Sequence, residues 1–500
     1  MTGPARRRLV SCALVALLLA ACGSTVPTGK RAAGTGSDIS SAASAAGSAG
    51  DAATGDGASA DLGGGSGSSQ QSGRTGSASA PTSRSGANLA AASAAAAAAK
   101  APITVGFMVS DFTKTAAAFG ITGPPSDRQT AFKGLVAYYN KRGGFAGRQI
   151  KPVYYTLDAS ASDWNVADQA ACATFTQDNH VEVVVSEDWV HENLVQCLLN
   201  AGVPMVDGSI SPQNDRKGLA KLSNLFVVDA VEADRSAAAL IDSSVRAGWL
   251  GSKDKLGVAV DSCPWDTRTA NEVIAPKARQ YGFQLDVVNA ADCGIGFQDV
   301  GKFTAGMQNA AFRLHADGAN KIMIVTQGAN GGLTFFATGA DSQGWHPDYL
   351  VDSGTAPAAT QAGGTLPAGQ LPNIKGLGWV PLSDVANAKP SDVAKSCVAI
   401  SVEGGSQQPA TDYESGSRYS SCSAFWTAAA VLAKTQGRAG LAAFRAGLEQ
   451  VGRAVTSAIT FSGAMLLDAG HHAGAAMANR FQFNQACSCF QYVGSPETLP

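Results

Sequence analysis

The sequence predicts an α/β protein made of two consecutive doubly wound halves. Three observations predict it. Short Val/Ile-rich runs alternate with segments whose apolar residues recur at helical spacing, the pattern of a parallel sheet covered on both faces. The alternation begins at Ile103 and restarts after Asp229, so there are two such halves. No repeat of roughly 20–50 residues runs through the chain, which excludes a solenoid.

The elements follow in order. Residues 103–109 form a β-rich run. Ser126-Asp127-Arg128-Gln129 reads as a capping box, and Phe132, Leu135, Val136 and Tyr139 then make the stripe of an amphipathic helix. Gly143-Gly144 stops that helix, because glycine accepts the left-handed conformation beyond a helix end. A second strand covers 149–156. A helix over 164–177 leads into a strand over 181–185, and a helix over 192–201 leads into 203–206. In the second half, helices are expected over 233–247, 268–281 and 297–316, and strands over 256–260, 284–288 and 321–325.

The first hundred residues read differently. Arg6, Arg7 and Arg8 precede an apolar run over 9–21. At about 13 residues the run is too short to span a bilayer, which takes roughly 20, and it has the length of a signal-peptide core. It ends in Leu19-Ala20-Ala21-Cys22-Gly23, which resembles a bacterial lipobox. That resemblance implies a signal peptide over 1–21, lipidation of Cys22 and an extracytoplasmic protein anchored to the membrane. Residues 23–100 are almost entirely Gly, Ala, Ser and Thr. Such a segment buries too little apolar surface to offset its ordering entropy. As a flexible coil of ~78 residues it would reach about 50 Å, and it reads as a passive spacer. Ala90 to Ala99 is helix-permissive but offers only small side chains.

Composition narrows the function. Lys+Arg number 37 against 39 Asp+Glu, a net charge of −2, so no basic excess points to nucleic acid. With 45% hydrophobic residues overall, the chain supports a large core. No G-x-G-x-x-G follows a strand, and no Walker A or G-x-S-x-G occurs in the head, so no catalytic residue and no cofactor is named. His191-Glu192 begins like a zincin motif, but Val195 stands where the second histidine belongs. His471-His472 falls on a predicted hairpin turn, where adjacent side chains diverge and suit no metal.

Ten cysteines are present. With Cys12 in the signal and Cys22 lipidated, eight remain, and an even number in an exported protein reads as disulfides. Metal binding is disfavoured because no CxxC…CxxC frame occurs. Proximity favours Cys263–Cys293 and Cys397–Cys422. Cys487 and Cys489 then pair with each other or elsewhere.

Asn140-Lys141-Arg142-Gly143-Gly144-Phe145-Ala146-Gly147-Arg148-Gln149-Ile150 resembles the signature of type I periplasmic binding proteins, the leucine/isoleucine/valine-binding class of ABC-transporter solute receptors. Gly202-Val203-Pro204-Met205-Val206 is similar to a later strand of that family. Ser462-Gly463 with Asp468-Ala469-Gly470-His471 is similar to its late hairpin. The resemblance spans 101–493. It implies two Rossmann-like lobes joined by a three-crossover hinge: 101–229 with 374–461, and 230–373 with 462–500. It also implies a Cys172–Cys197 bridge.

Open α/β sheets bind ligands beyond their strand carboxyl ends. The resemblance therefore points to Asp111, Ser186, Asp188, Ser209 and Ser211 in the first lobe. In the second it points to Trp265, Asp266, Gln327 and Asp352, with Trp379 near the hinge. Glu187-Asp188 stands where relatives usually carry small hydroxyl residues, which favours a cationic, zwitterionic or neutral polar solute. The implied function is a non-enzymatic receptor that captures a small polar molecule and delivers it to an ABC permease. The alternative is a sensory or partner-binding module on the same fold.

Overall fold

The computed structural model describes residues 101–500 apart from 112–113, 115–127, 162, 188–190, 211–213, 294–298, 327–328, 410–411, 464 and 469. The expected signal, Cys22, the linker, the capping serine Ser126 and the candidates Asp188, Ser211 and Gln327 lie outside the described residues.

The first sheet holds β1 (Ile103–Asp111), β2 (Ile150–Asp158), β3 (Val183–Ser186), β4 (Met205–Asp207) and β5 (Leu225–Val227). Its order is β2-β1-β3-β4-β5, and every pairing is parallel. Crossover helices α1 (Arg128–Asn140), α2 (Trp164–Ala173), α3 (Glu192–Asn200) and α4 (Arg216–Lys221) link the strands. The expected stripe drives α1 onto the sheet: Phe132 and Leu135 are fully buried. The turn after α1 needs glycine at 144, where φ is +74° and a Cβ would stand 1.9 Å from the Arg148 carbonyl oxygen.

The second sheet follows α5 (Ala233–Arg246). It contains β6 (Lys255–Asp261), β7 (Gln284–Ala291), β8 (Lys321–Val325), β9 (Asp348–Asp352), β10 (Ile374–Gly378), β11 (Met477–Asn484) and β12 (Cys489–Thr498). The order is β12-β11-β10-β9-β8-β6-β7, parallel through β10 and antiparallel for the last two strands. Between β6 and β7 the helix begins earlier than the sequence reading placed it. α6 (Pro264–Arg268) opens with proline at its first position, where a missing N–H costs nothing, and a π segment carries it into α7 (Ala275–Tyr281). The remaining helices of this half are α8 (Val300–Ala316), α9 (Ala329–Asp341), α10 (Pro357–Ala362) and α11 (Pro381–Asp384).

α12 (Asp392–Glu403), α13 (Asp412–Lys434) and α14 (Leu441–Val451) return to the first sheet. Phe425 of α13 stacks 6.0 Å from Phe107 of β1 and lies 4.9 Å from Phe145, and Arg445 of α14 donates to the Ser223 carbonyl at 2.7 Å. Two expectations shift. Residue 374 was placed at the start of a first-lobe segment, but Ile374–Gly378 pairs with β9 and β11, so the return crossing follows Gly378. The C-terminal hairpin turns at residues 485–488, not at His471-His472. His472 is buried there, stacked 5.0 Å from Phe226 with Nδ1 2.7 Å from the Leu225 carbonyl oxygen, while His471 faces Asp468.

Four disulfides close the head: Cys172–Cys197, Cys263–Cys293, Cys397–Cys422 and Cys487–Cys489. The first joins α2 to α3 and the third joins α12 to α13.

Candidate ligand cleft and hinge

The chain passes between the two sheets three times, and the passages are bonded to one another. The first leaves the carboxyl end of β5. Val227 exchanges backbone hydrogen bonds with His472 and Gly474, and Ala475 N–H donates to Ala230 at 2.9 Å. The second leaves the carboxyl end of β10, and the third runs through residues 455–463. Ser457 Oγ donates to Asp229 Oδ1 at 2.6 Å, joining third to first. Phe461 N–H donates to the Trp379 carbonyl at 2.5 Å, joining third to second. Two passages thus depart from strand carboxyl ends, one in each sheet, which places both sets of ends beside the hinge.

Buried carboxyls concentrate here. Asp229 is fully buried, and burial pushes its pKa well above the ordinary carboxyl range. Asp384 of α11 is also fully buried, and burial raises its pKa to about 7. Its Oδ2 accepts from Val380 N–H at 2.9 Å, Ser353 Oγ at 3.0 Å and Tyr492 Oη at 2.9 Å. Gly378 makes room for it, since a Cβ there would lie 2.1 Å from Asp384 Oδ2. A buried Arg235–Glu232 pair and an Arg235 bond to the Ala475 carbonyl at 2.6 Å hold the start of α5 against the C-terminal segment.

At the first sheet, β1 ends in Ser110 and Asp111, β3 in Ser186 and β4 in Asp207. Asp111 is exposed, Ser186 is fully buried, and Ser209 is nearly buried with its N–H on Asp207 Oδ2 at 3.3 Å. Glu187 does not confront the cleft as an uncompensated acid. Its Oε2 accepts from Ser417 at 2.9 Å and from Ser421 on α13, and Arg128 stands 3.7 Å from Oε1. Glu187 therefore adds nothing to the argument for a cationic solute, and Asp188, the other acid in that argument, lies outside the described residues.

At the second sheet, β6 ends in Asp261, whose Oδ1 caps the Cys263 N–H at 2.9 Å. Trp265 and Asp266, read from sequence as loop residues, form the first turn of α6 and are 8% and 3% exposed. Burial first, and then the neighbouring Asp261, push the Asp266 pKa well above the ordinary carboxyl range. Asp261, Cys263 and Asp266 form the one three-residue grouping of metal-ligand types among the described residues, and the Cys263 sulfur is bonded to Cys293. Asp352 accepts from Ser236 and from Gly354 N–H, capping a short turn after β9. Trp379 lies at the hinge as expected, but its ring is fully buried in the core and presents no surface to a solute.

One feature had no sequence signal. Asp215, the N-cap of α4, receives both Nε and Nη2 of Arg268 at 2.7 Å, linking the segment after β4 to the helix after β6. Lys217–Glu272 and Arg216–Asp234 pairs flank it. The partners are over fifty residues apart in the first two cases, beyond any local pattern.

No protein-family model matches the chain, and no curated protein matches it. Solved structures do. An ABC transporter substrate-binding protein from Desulfitobacterium hafniense, in complex with Leu, aligns at TM-score 0.50 and 16% identity, covering 78% of this chain and 100% of its own. An ABC transporter substrate-binding protein from Aeropyrum pernix aligns at TM-score 0.55 and 15% identity, over 80% and 96%. A solute-binding protein from Rhodopseudomonas palustris, in complex with p-hydroxybenzoic acid, aligns at TM-score 0.53 and 12% identity, over 80% and 97%.

Proposed function

From the premise that the chain has the type I periplasmic binding fold, we propose that it is an extracytoplasmic solute receptor that grips a small polar molecule between its lobes and hands it unaltered to an ABC importer. The observation that carries this reading is the hinge. Three crossings, the third bonded to each of the other two, join two sheets beside their carboxyl ends, the arrangement that lets two lobes close on a ligand. A solute shifts such an equilibrium only by its differential affinity for the closed form. The chemistry is binding, without a covalent step.

The ligand contacts are drawn from Asp111, Ser209 and Asp352, together with Asp188, Ser211 and Gln327, with the buried Ser186, Trp265 and Asp266 set behind them. Leu and p-hydroxybenzoate, bound by the structures cited above, are the first solutes to try. Cys22 carries the lipid anchor, and none of the described helices is long and apolar enough to cross a membrane. The partners are the solute, the permease and the membrane reached through the lipid.

The test is native mass spectrometry of the full chain, followed by calorimetry and X-ray scattering against amino acids, aromatic acids and polyamines. A binder that lowers the radius of gyration supports the reading. No binder across the panel, with no change in scattering, overturns it. Radiolabelled palmitate incorporation lost in Cys22→Ser checks the anchor.

A further inference from the structure

The four disulfides of the head differ in what an incoming thiol would meet. Three of them join residues 25 or 30 positions apart. Cys487–Cys489 spans a single residue, at the turn between β11 and β12. A loop that small contributes little to folding, so the head can keep its fold with this bridge open. Cys487 is exposed together with Gln485, Ala486 and Ser488, whereas Cys489 is 6% exposed. Ser488, between the two cysteines, sits at φ +50°, a left-handed backbone that a residue with a Cβ rarely adopts. Gln361 of α10 donates from Nε2 to the Ser488 carbonyl at 2.7 Å, which holds the turn independently of the bridge.

The two sulfurs are therefore unequal. In exchange, a thiolate attacks one sulfur while the other departs, and a better stabilised departing thiolate leaves faster. Cys487 is the sulfur an outside thiol reaches. Cys489 then departs, and Asn387 Nδ2 stands 4.0 Å from its Sγ as a donor to the charge. Cys263–Cys293 presents the opposite case. Cys293 is exposed too, but attack there expels Cys263, which is fully buried with carboxyl oxygens of Asp261 and Asp266 within 4.8 Å of its sulfur. Burial and two carboxyls both oppose a thiolate at that position. Cys397 and Cys422 are both fully buried, and Cys172 is buried with Cys197 packed against the same core cluster.

We propose that Cys487–Cys489 is a thiol–disulfide exchange site that takes two electrons from a low-molecular-weight thiol. A thiolate RS⁻ attacks Cys487 Sγ, the S–S bond breaks, and its electron pair leaves on Cys489 Sγ. A second RS⁻ attacks the outer sulfur of the mixed disulfide, forming RSSR and releasing Cys487 as a thiolate. Each cysteine thiolate takes up the proton that one RSH gave up. The bridge is reduced to two thiols, and two RSH are oxidised to RSSR. Because Gln361 holds the turn, the two cysteines stay adjacent, and excess RSSR runs the same steps in reverse.

Reduced glutathione added to the full chain tests this, with freed thiols alkylated and mapped by peptide mass spectrometry. Cys487–Cys489 should open at least tenfold faster than any of the other three bridges, with the near-UV circular dichroism of the head unchanged. With oxidised glutathione, Cys489→Ser should form a mixed disulfide at Cys487 at least tenfold faster than Cys487→Ser forms one at Cys489. Asn387→Ala should slow the opening about threefold or more at an unchanged melting temperature. Opening of Cys263–Cys293 at the same rate or faster overturns the proposal. So does opening of Cys487–Cys489 only together with loss of the near-UV signal, because the bridge would then be a structural clamp. The natural chain alone decides both points, so neither depends on a variant that folds.

Discussion

Asp384 makes the stability of the hinge depend on pH in a direction opposite to that of a salt-bridged acid. Burial raises its pKa from 3.8 to about 7. The unfolded chain therefore releases this proton near pH 4, while the native state keeps it until about pH 7. Between those values the native state binds more protons, so stability is fully present below about pH 4 and is lost as pH rises toward 7. The slope is roughly 1.4 kcal/mol per pH unit, and over about three units the cumulative effect is ~4 kcal/mol. Asp384→Asn removes the titration and keeps the geometry: the amide oxygen still accepts from Val380, Ser353 and Tyr492, and its NH₂ replaces the acid proton. Urea unfolding at intervals from about pH 4.5 to 7.5 gives the comparison. The natural chain should lose stability relative to the variant by about 1 kcal/mol or more per unit. Asp229 and Asp266 are also raised by burial, but their slopes are common to both chains and cancel in the difference, whereas Asp352 feels the Asp384 charge and contributes to it as part of the same pair. Parallel curves over that range would refute the reasoning, because Asp384 would then be ionised in the native state throughout.

Other outcomes follow from the same geometry. Arg268→Ala breaks a bidentate pair whose carboxylate is 4% exposed, and should cost about 2 kcal/mol, with Asp215→Asn/Arg268→Ala recovering part of it in a double-mutant cycle. If the pair forms only in the closed state, solute affinity falls roughly 30-fold in Arg268→Ala, read by calorimetry once a binder is known. Trp265→Ala should lower the melting point and cost about 3 kcal/mol, since the ring is buried in α6; an unchanged melting point with weakened solute binding would return Trp265 to the cleft. Removing Cys172–Cys197 should cost about 3 kcal/mol in chemical denaturation, whereas removing Cys487–Cys489, which closes a far smaller loop, should cost under about 2.

The regular parts of the fold were legible because their burial is one-sided or continuous. After Lys321, β8 is an unbroken apolar run of Ile322, Met323, Ile324 and Val325, and α1 shows its stripe openly. β5, three residues long, offers no periodicity to read. α13 is buried on several faces, with every residue from Arg418 to Phe425 inside, so no amphipathic stripe announces it. β10 carries two glycines because Asp384 and the Val351 carbonyl approach its backbone, and that loosens its strand pattern. Within the candidate site, the strand-end positions could be read from alternation alone. The direction of each side chain could not, because it depends on distant partners. Glu187 turns to serines on α13, more than two hundred residues away, and Trp379 turns inward.

Where the chain enters the head sets how the head would respond to being pulled. β1 is an interior strand, in register with β2 over nine residues and with β3 over four. Force applied at Ala101 runs along the strand axis, so both ladders are loaded in shear and many bonds must rupture together. Entry at an edge strand would let them peel singly. The traction point is also at the opposite end of the sheet from the hinge, so drag on the leash would leave the jaws free to swing.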